Sequence, residues 1–129
     1  MLPNLSVRQN LLQEFARHSE IHGIVRKKEF KSSGLLIDYD ARQIFIDNVE
    51  INLTQTEYNI VALLSEYSGK VMTYAAIIKA IWGYNDVYST KKLQVNMANI
   101  RKKFGAKPGQ KNYIVNELGV GYRMCERDE

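Results

Sequence analysis

A single cysteine, Cys125, among 129 residues excludes an intramolecular disulfide, and no cysteine or carboxylate pattern supplies a metal framework. His18 and His22 stand four apart, a spacing that can share a metal on a helix, but nothing joins them. The expectation is a reducing, cytoplasmic setting with no metal and no cofactor. Long apolar runs are missing too. Ile60 to Leu64, one of the longest, falls far short of a membrane span, and the start lacks the charged and apolar regions of a signal peptide. A soluble chain that is neither exported nor inserted in a membrane follows.

Catalytic constellations are equally scarce. There is no nucleophile elbow with an ordered Ser/His/Asp set, no Cys/His pair and no carboxylate cluster suited to two metals. Gly119-Val120-Gly121 lacks the third glycine of a dinucleotide fingerprint, and Ser68-Gly69-Lys70 lacks the first glycine of a P-loop, so both read as turns. An enzyme is not expected.

The most informative absence is of acid. Between Val87 and Asn116 there are seven lysines and arginines and no aspartate or glutamate, although the whole chain is only +4, with 18 basic and 14 acidic residues. Outside this block the balance is 11 basic to 14 acidic, so the positive charge is local. A mildly acidic body with one basic helix is the footprint of a protein that meets a polyanion, although a run of charge also describes a solvated helix face.

With 45% hydrophobic and 25% charged residues the chain suits one ordinary domain, able to bury roughly two thirds of its unfolded surface. Residues 1–30 stand apart as an amphipathic helix and linker: Ser6 and Gln9 form a capping box, and Val7, Leu11 and Phe15 form a stripe. From Gly34 the period becomes two. Leu35, Ile37 and Tyr39, then Ile44 and Ile46, then Val49, Ile51 and Leu53 predict three antiparallel strands. Thr54 and Glu57 make a second capping box opening a helix whose buried face gathers Ile60, Leu63, Leu64 and Tyr67, with Val61 at its margin. After the short extended piece Val71-Met72, Thr73 caps a helix carrying Ile77, Ile78, Ile81 and Trp82, which Gly83 ends. Ser89 or Thr90 caps a third helix closing at Phe104-Gly105, and Lys107-Pro108-Gly109 turns the chain. Tyr113-Ile114-Val115 and Tyr122-Arg123-Met124 flank a glycine turn as a β-hairpin.

On the third helix, at about 100° per residue, Leu93, Met97, Ile100 and Phe104 fall within roughly 60° and form the buried stripe. The opposite face then presents Lys91, Val95, Ala98 and Lys102, flanked by Gln94 and Arg101 on one side and Lys92, Asn99 and Lys103 on the other. A surface helix would ordinarily mix Glu with its Lys. A helix read by a major groove needs short or amide side chains at its centre and cations at its margins. Gln94 and Asn99 suit adenine edges, Val95 and Ala98 suit a thymine methyl, and Lys91 or Lys102 suits guanine or a phosphate.

Five segments, LTQTEYNIVALL (53–64), GKVMT (69–73), IIKAIWG (77–83), LQVNMANIRKKF (93–104) and IVNELGVGYRM (114–124), together resemble the DNA-binding effector domain of OmpR/PhoB-type response regulators. Regulators of potassium-transport operons look nearest, from Met97, the Asn116-Glu117-Leu118 stretch and ARHSE at 16–20. The resemblance implies an α+β fold, a winged helix-turn-helix at 31–129 with an N-terminal antiparallel sheet, three helices and a C-terminal hairpin wing. It implies transcription control by sequence-specific duplex binding, with helix 91–104 in the major groove and the wing, 113–124, beside the minor groove. Trp82 would offer its indole N–H and Tyr122 its hydroxyl to phosphates. Loop 83–88 matches the segment that in some members touches RNA polymerase. Residues 1–30 resemble the end of a receiver domain, whose phosphorylation in the family promotes dimers on direct repeats; this chain alone is expected to be monomeric. It departs from the family at Leu118, where the wing often carries arginine, at Ala98 and Asn99, where many members have paired arginines, and at Tyr74, where a basic phosphate contact is common. The alternative from the residues themselves is a protein-interaction module that meets an acidic partner. RNA is disfavoured because the helix face has no aromatic residues to stack bases.

Overall fold

The computed structural model describes residues 28–105 and 112–125. The expected N-terminal helix, both histidines and the Lys107-Pro108-Gly109 turn lie outside them. A four-stranded antiparallel sheet comes first, in chain order: β1 (Glu29–Ser32), β2 (Leu35–Asp38), β3 (Gln43–Ile46) and β4 (Val49–Glu50). Alternation builds it, since Leu35 and Ile37 are buried while Leu36 and Asp38 are only partly so. Asp47 and Asn48 take φ of 49° and 68°, the two positive values of a type I′ turn, and thereby pair Ile46 with Val49.

Two features of this sheet differ from expectation. There are four strands rather than three, and β1 begins at Glu29, so the expected division after residue 30 falls inside a strand. Phe30 and Ser32 are its buried residues, and the pairing of Glu29 with Asp38 through Ser32 with Leu35 makes it extended. The strand expected to reach Leu53 is shorter. After a last rung from Ile51 N–H to the Ile44 carbonyl (2.8 Å), the chain leaves the sheet for the Thr54 cap.

Helix α1 (Gln55–Glu66) opens on the expected capping box: Glu57 N–H donates to Thr54 Oγ1 (3.1 Å) and Thr54 N–H to Glu57 Oε1 (3.0 Å). Its buried face is wider than the stripe expected. Val61 is fully buried, Leu63 only partly, and Tyr67 is 48% exposed. The first sheet covers one flank, where the Tyr39 and Ser65 hydroxyls meet at 2.5 Å and Arg42 Nη2 donates to Asn59 Oδ1 (2.7 Å). The other helices cover the opposite flank, and Tyr67 lies past the last turn at the C-cap, out of helical phase. Helix α2 (Tyr74–Trp82) is capped by Thr73, which accepts from Ala76 N–H, and ends on Gly83 at φ 85°. Helix α3 (Ser89–Lys103) completes the trio.

A three-stranded sheet, in the order β5 (Val71–Thr73), β7 (Gly121–Met124), β6 (Ile114–Glu117), closes the domain. Gly121 is required at the point where β7 crosses β5, because a Cβ there would lie 1.8 Å from the Met72 carbonyl oxygen. The Tyr113 hydroxyl donates to the Ser33 carbonyl (2.7 Å) and Cys125 N–H to the Tyr113 carbonyl (2.8 Å), so the hairpin base is fastened to the first sheet. A single core results, with Ile37, Ile60, Ile77, Met97, Ile114 and Met124 each at most 3% exposed. No helix among the described residues is long and apolar enough to cross a membrane.

Candidate nucleic-acid interface

The orientation of α3 follows from its apolar stripe. Leu93, Met97 and Ile100 are at most 1% exposed and Phe104 is partly buried, edge-on to Tyr113 with ring centroids 6.1 Å apart. Burial of that stripe turns Lys91, Gln94, Val95, Ala98, Asn99, Lys102 and Lys103 outward, and all seven are exposed. Lys92 and Arg101, at the margins, are partly buried.

Neither Ser89 nor Thr90 caps this helix as expected. The N-cap is Tyr88, with no side-chain cap bond, and Ser89 is fully buried. Asp86 does the work instead: its carboxylate accepts from Tyr88 N–H (2.8 Å) and the Ser89 hydroxyl (3.0 Å), while its own N–H donates to Ser89 Oγ (3.1 Å). Acceptance from the Tyr88 amide, with help from Ser89 and the Lys92 charge, holds the Asp86 carboxyl below the ordinary carboxylate value.

The cations divide by role. Lys91 and Lys102 are exposed and form no ion pair among the described residues. Lys92 Nζ sits 6.0 Å from the Trp82 ring centroid and 5.6 Å from that of Tyr84. Arg101 donates through Nη2 to the Ile114 carbonyl (3.1 Å), and its guanidinium lies 5.8 Å from the Tyr122 ring centroid, which couples α3 to the hairpin. Lys103 Nζ lies 2.7 Å from Glu57 Oε1, so its charge is largely neutralised within the domain. Of the five helical cations expected at a phosphate surface, three thus have internal partners.

The aromatic candidates divide likewise. Trp82 is partly buried at the end of α2 beside Lys92. Tyr122 is 5% exposed overall and packs edge-on to Tyr74 at 5.4 Å, so its ring belongs to the core. Its hydroxyl makes no hydrogen bond among the described residues, and burial pushes its pKa up. Tyr74 is directed into the hairpin, its hydroxyl donating to Asn116 Oδ1 (2.7 Å). At the hairpin end Leu118 is 84% exposed, and Arg123 grips Glu117 Oε2 through Nη2 (3.0 Å) and Nε (3.1 Å). The Glu57–Lys103, Asp86 and Arg123 contacts were not foreseen; only Glu57 had a sequence signal, its place in the capping box.

The chain has relatives among known proteins. The family model described as "Transcriptional regulatory protein, C terminal" matches residues 48–124. The chain belongs to this family. It is a family of transcription regulators rather than of enzymes, and the fold of this transcriptional regulatory C-terminal domain is the winged helix-turn-helix. The Staphylococcus aureus transcriptional regulatory protein KdpE is 31% identical over 126 residues, covering 97% of this chain and 53% of its own length. The chain thus spans about half the length of the curated relatives it matches. Among solved structures, the Thermotoga maritima OmpR/PhoB homolog DrrB superposes with a TM-score of 0.71 at 26% identity, over 91% of this chain and 52% of that one. The AdeR response-regulator DNA-binding domain, solved in complex with an intercistronic region, gives 0.62 at 26% identity, over 78% of this chain and 99% of that one.

Proposed function

We propose that this domain is the output module of a two-component response regulator and binds duplex DNA by seating α3 in the major groove, with the β6–β7 hairpin beside the adjacent minor groove. The observation that carries the reading is the outer face of α3. It is exposed and free of acid, with Val95 and Ala98 short enough at its centre for close backbone approach and Gln94 and Asn99 beside them as amides. Lys91, Lys102 and the hydroxyl of Tyr122 supply phosphate contacts, and Lys92 with Trp82 supplies the margin at the start of the helix. Arg101 and Lys103 act chiefly by holding α3 against the hairpin and α1.

The complete regulator would dimerise on direct repeats in the cytoplasm, and the loop from Gly83 to Tyr88 would meet RNA polymerase. That loop carries Tyr84, Val87 and Tyr88 at 53%, 84% and 69% exposure, an apolar surface suited to a protein. Selection from a random duplex pool tests the reading. Enrichment of one motif, in direct repeat, is expected; a pool that stays random refutes sequence-specific binding.

A further inference from the structure

The hairpin end is unusual in what it offers a groove. Leu118 is 84% exposed and Val120 50%, and Gly119 between them turns at φ 78° with nothing within 4 Å of where its Cβ would lie. This apolar tip is held by two ties to the helices: Arg101 from α3 to the Ile114 carbonyl (3.1 Å), and Tyr74 from α2 to Asn116 (2.7 Å). The only cation on β6, the tip or β7 is Arg123, whose Nη2 and Nε are held by the Glu117 carboxylate and whose Nη1 lies 4.0 Å from Cys125 Sγ. The hairpin is therefore locally neutral, and it cannot read a minor groove through an inserted cation.

We propose that Leu118, with Val120 beside it, selects A·T over G·C base pairs under the hairpin by shape, an inference that rests on the DNA-binding reading above. In the minor groove A·T and T·A pairs present only the recessed adenine N3 and thymine O2, whereas a G·C pair adds the protruding guanine 2-amino group. Leucine can pack on the sugar walls of an A·T segment. It cannot accept a hydrogen bond from the amino group, and its approach strips water from that donor without replacing it. Leucine is among the apolar side chains that proteins place in minor grooves, most often as wedges between base steps. Continuity with α3 through Arg101 fixes where the selection falls, on the base pairs flanking those read by the helix.

Inosine, which is guanine without its 2-amino group, isolates the effect. The probe is a duplex recovered from the random pool, with the pairs flanking the α3 site made A·T, I·C or G·C, and binding is followed by fluorescence anisotropy. The native chain should bind the A·T and I·C duplexes alike and the G·C duplex about tenfold more weakly, the scale of partly burying one leucine. Leu118→Ala should bind all three alike, with an unchanged salt slope. Leu118→Arg should retain affinity for A·T and steepen the salt slope by about 0.9. I·C binding as weak as G·C, or a tenfold preference that survives Leu118→Ala, overturns this inference alone. Failure of the native chain to bind even the A·T duplex overturns it together with the DNA-binding reading.

Discussion

Lys103 Nζ lies 2.7 Å from Glu57 Oε1, and that oxygen also accepts the Thr54 amide, so the last turn of α3 is joined to the first turn of α1 through one buried carboxylate. The Glu57 side chain is 3% exposed and that of Lys103 38%. Removing the lysine leaves a buried anion with a single amide partner. Because Lys103 keeps contact with water, Lys103→Ala should cost about 1–3 kcal/mol, less than the roughly 3–5 of a fully buried pair. Urea unfolding measures it, and an unchanged midpoint would deny the pair a structural role.

Lys102 faces outward one residue earlier, and the contrast is diagnostic. Lys102→Ala should weaken binding to all duplexes alike and reduce the slope of log affinity against log salt by about 0.9, while Lys103→Ala should leave the slope nearly unchanged. Equal slope changes would mean that Lys103 exchanges Glu57 for a phosphate.

Asn99 is exposed at the side of the outer face of α3. Asn99→Ala should alter preference at one base pair by about 1–3 kcal/mol and leave binding to random duplex nearly unchanged. Competition against a panel of single-pair substitutions checks this. A uniform loss would assign Asn99 to the backbone.

Asp86 caps α3 as a carboxylate whose pKa is depressed by the Tyr88 amide. A depressed folded value contributes stability above the ordinary carboxylate pKa that disappears as pH falls through the folded one. The Tyr88 and Ser89 amides should therefore exchange faster with solvent as the medium acidifies below 3.8. Asp86→Asn, which keeps an acceptor oxygen, should remove that dependence, and Asp86→Ala should fray the turn at every pH. Amide signals indifferent to both substitutions would exclude the cap.

Tyr39 gives the opposite sign. Burial raises its phenol to about 12 despite the hydrogen bond with Ser65. A raised value contributes stability present below the unfolded pKa of 10.0, lost as pH rises through about 12. Tyr39→Phe should flatten that alkaline loss in urea titrations, and identical curves would contradict it.

Much of this was legible in the sequence where local periodicity and capping chemistry decide the outcome. The Leu93/Met97/Ile100 stripe set the rotation of α3, Thr54 and Glu57 marked the start of α1, and the glycines around Val120 marked the hairpin. Strand β1 was not legible, because Glu29-Phe30-Lys31-Ser32 has one apolar residue, and its extension comes from pairing with β2. The wider burial of α1 was hidden for a similar reason: Val61 is covered only because elements from both sides converge on the helix. At the candidate site, exposure was readable but partnership was not. Glu57 and Lys103 are 46 residues apart, and Arg101 finds its acceptor in another element.

The central claim, that the outer face of α3 carries the phosphate contacts, is tested most directly by the salt dependence of duplex binding for the native chain and for Lys91→Ala/Lys102→Ala. Removing two phosphate contacts should make the log–log slope shallower by about 1.8 and weaken binding most in dilute salt. An identical slope in the double variant, or no duplex binding by the native chain at any salt concentration, would contradict the account.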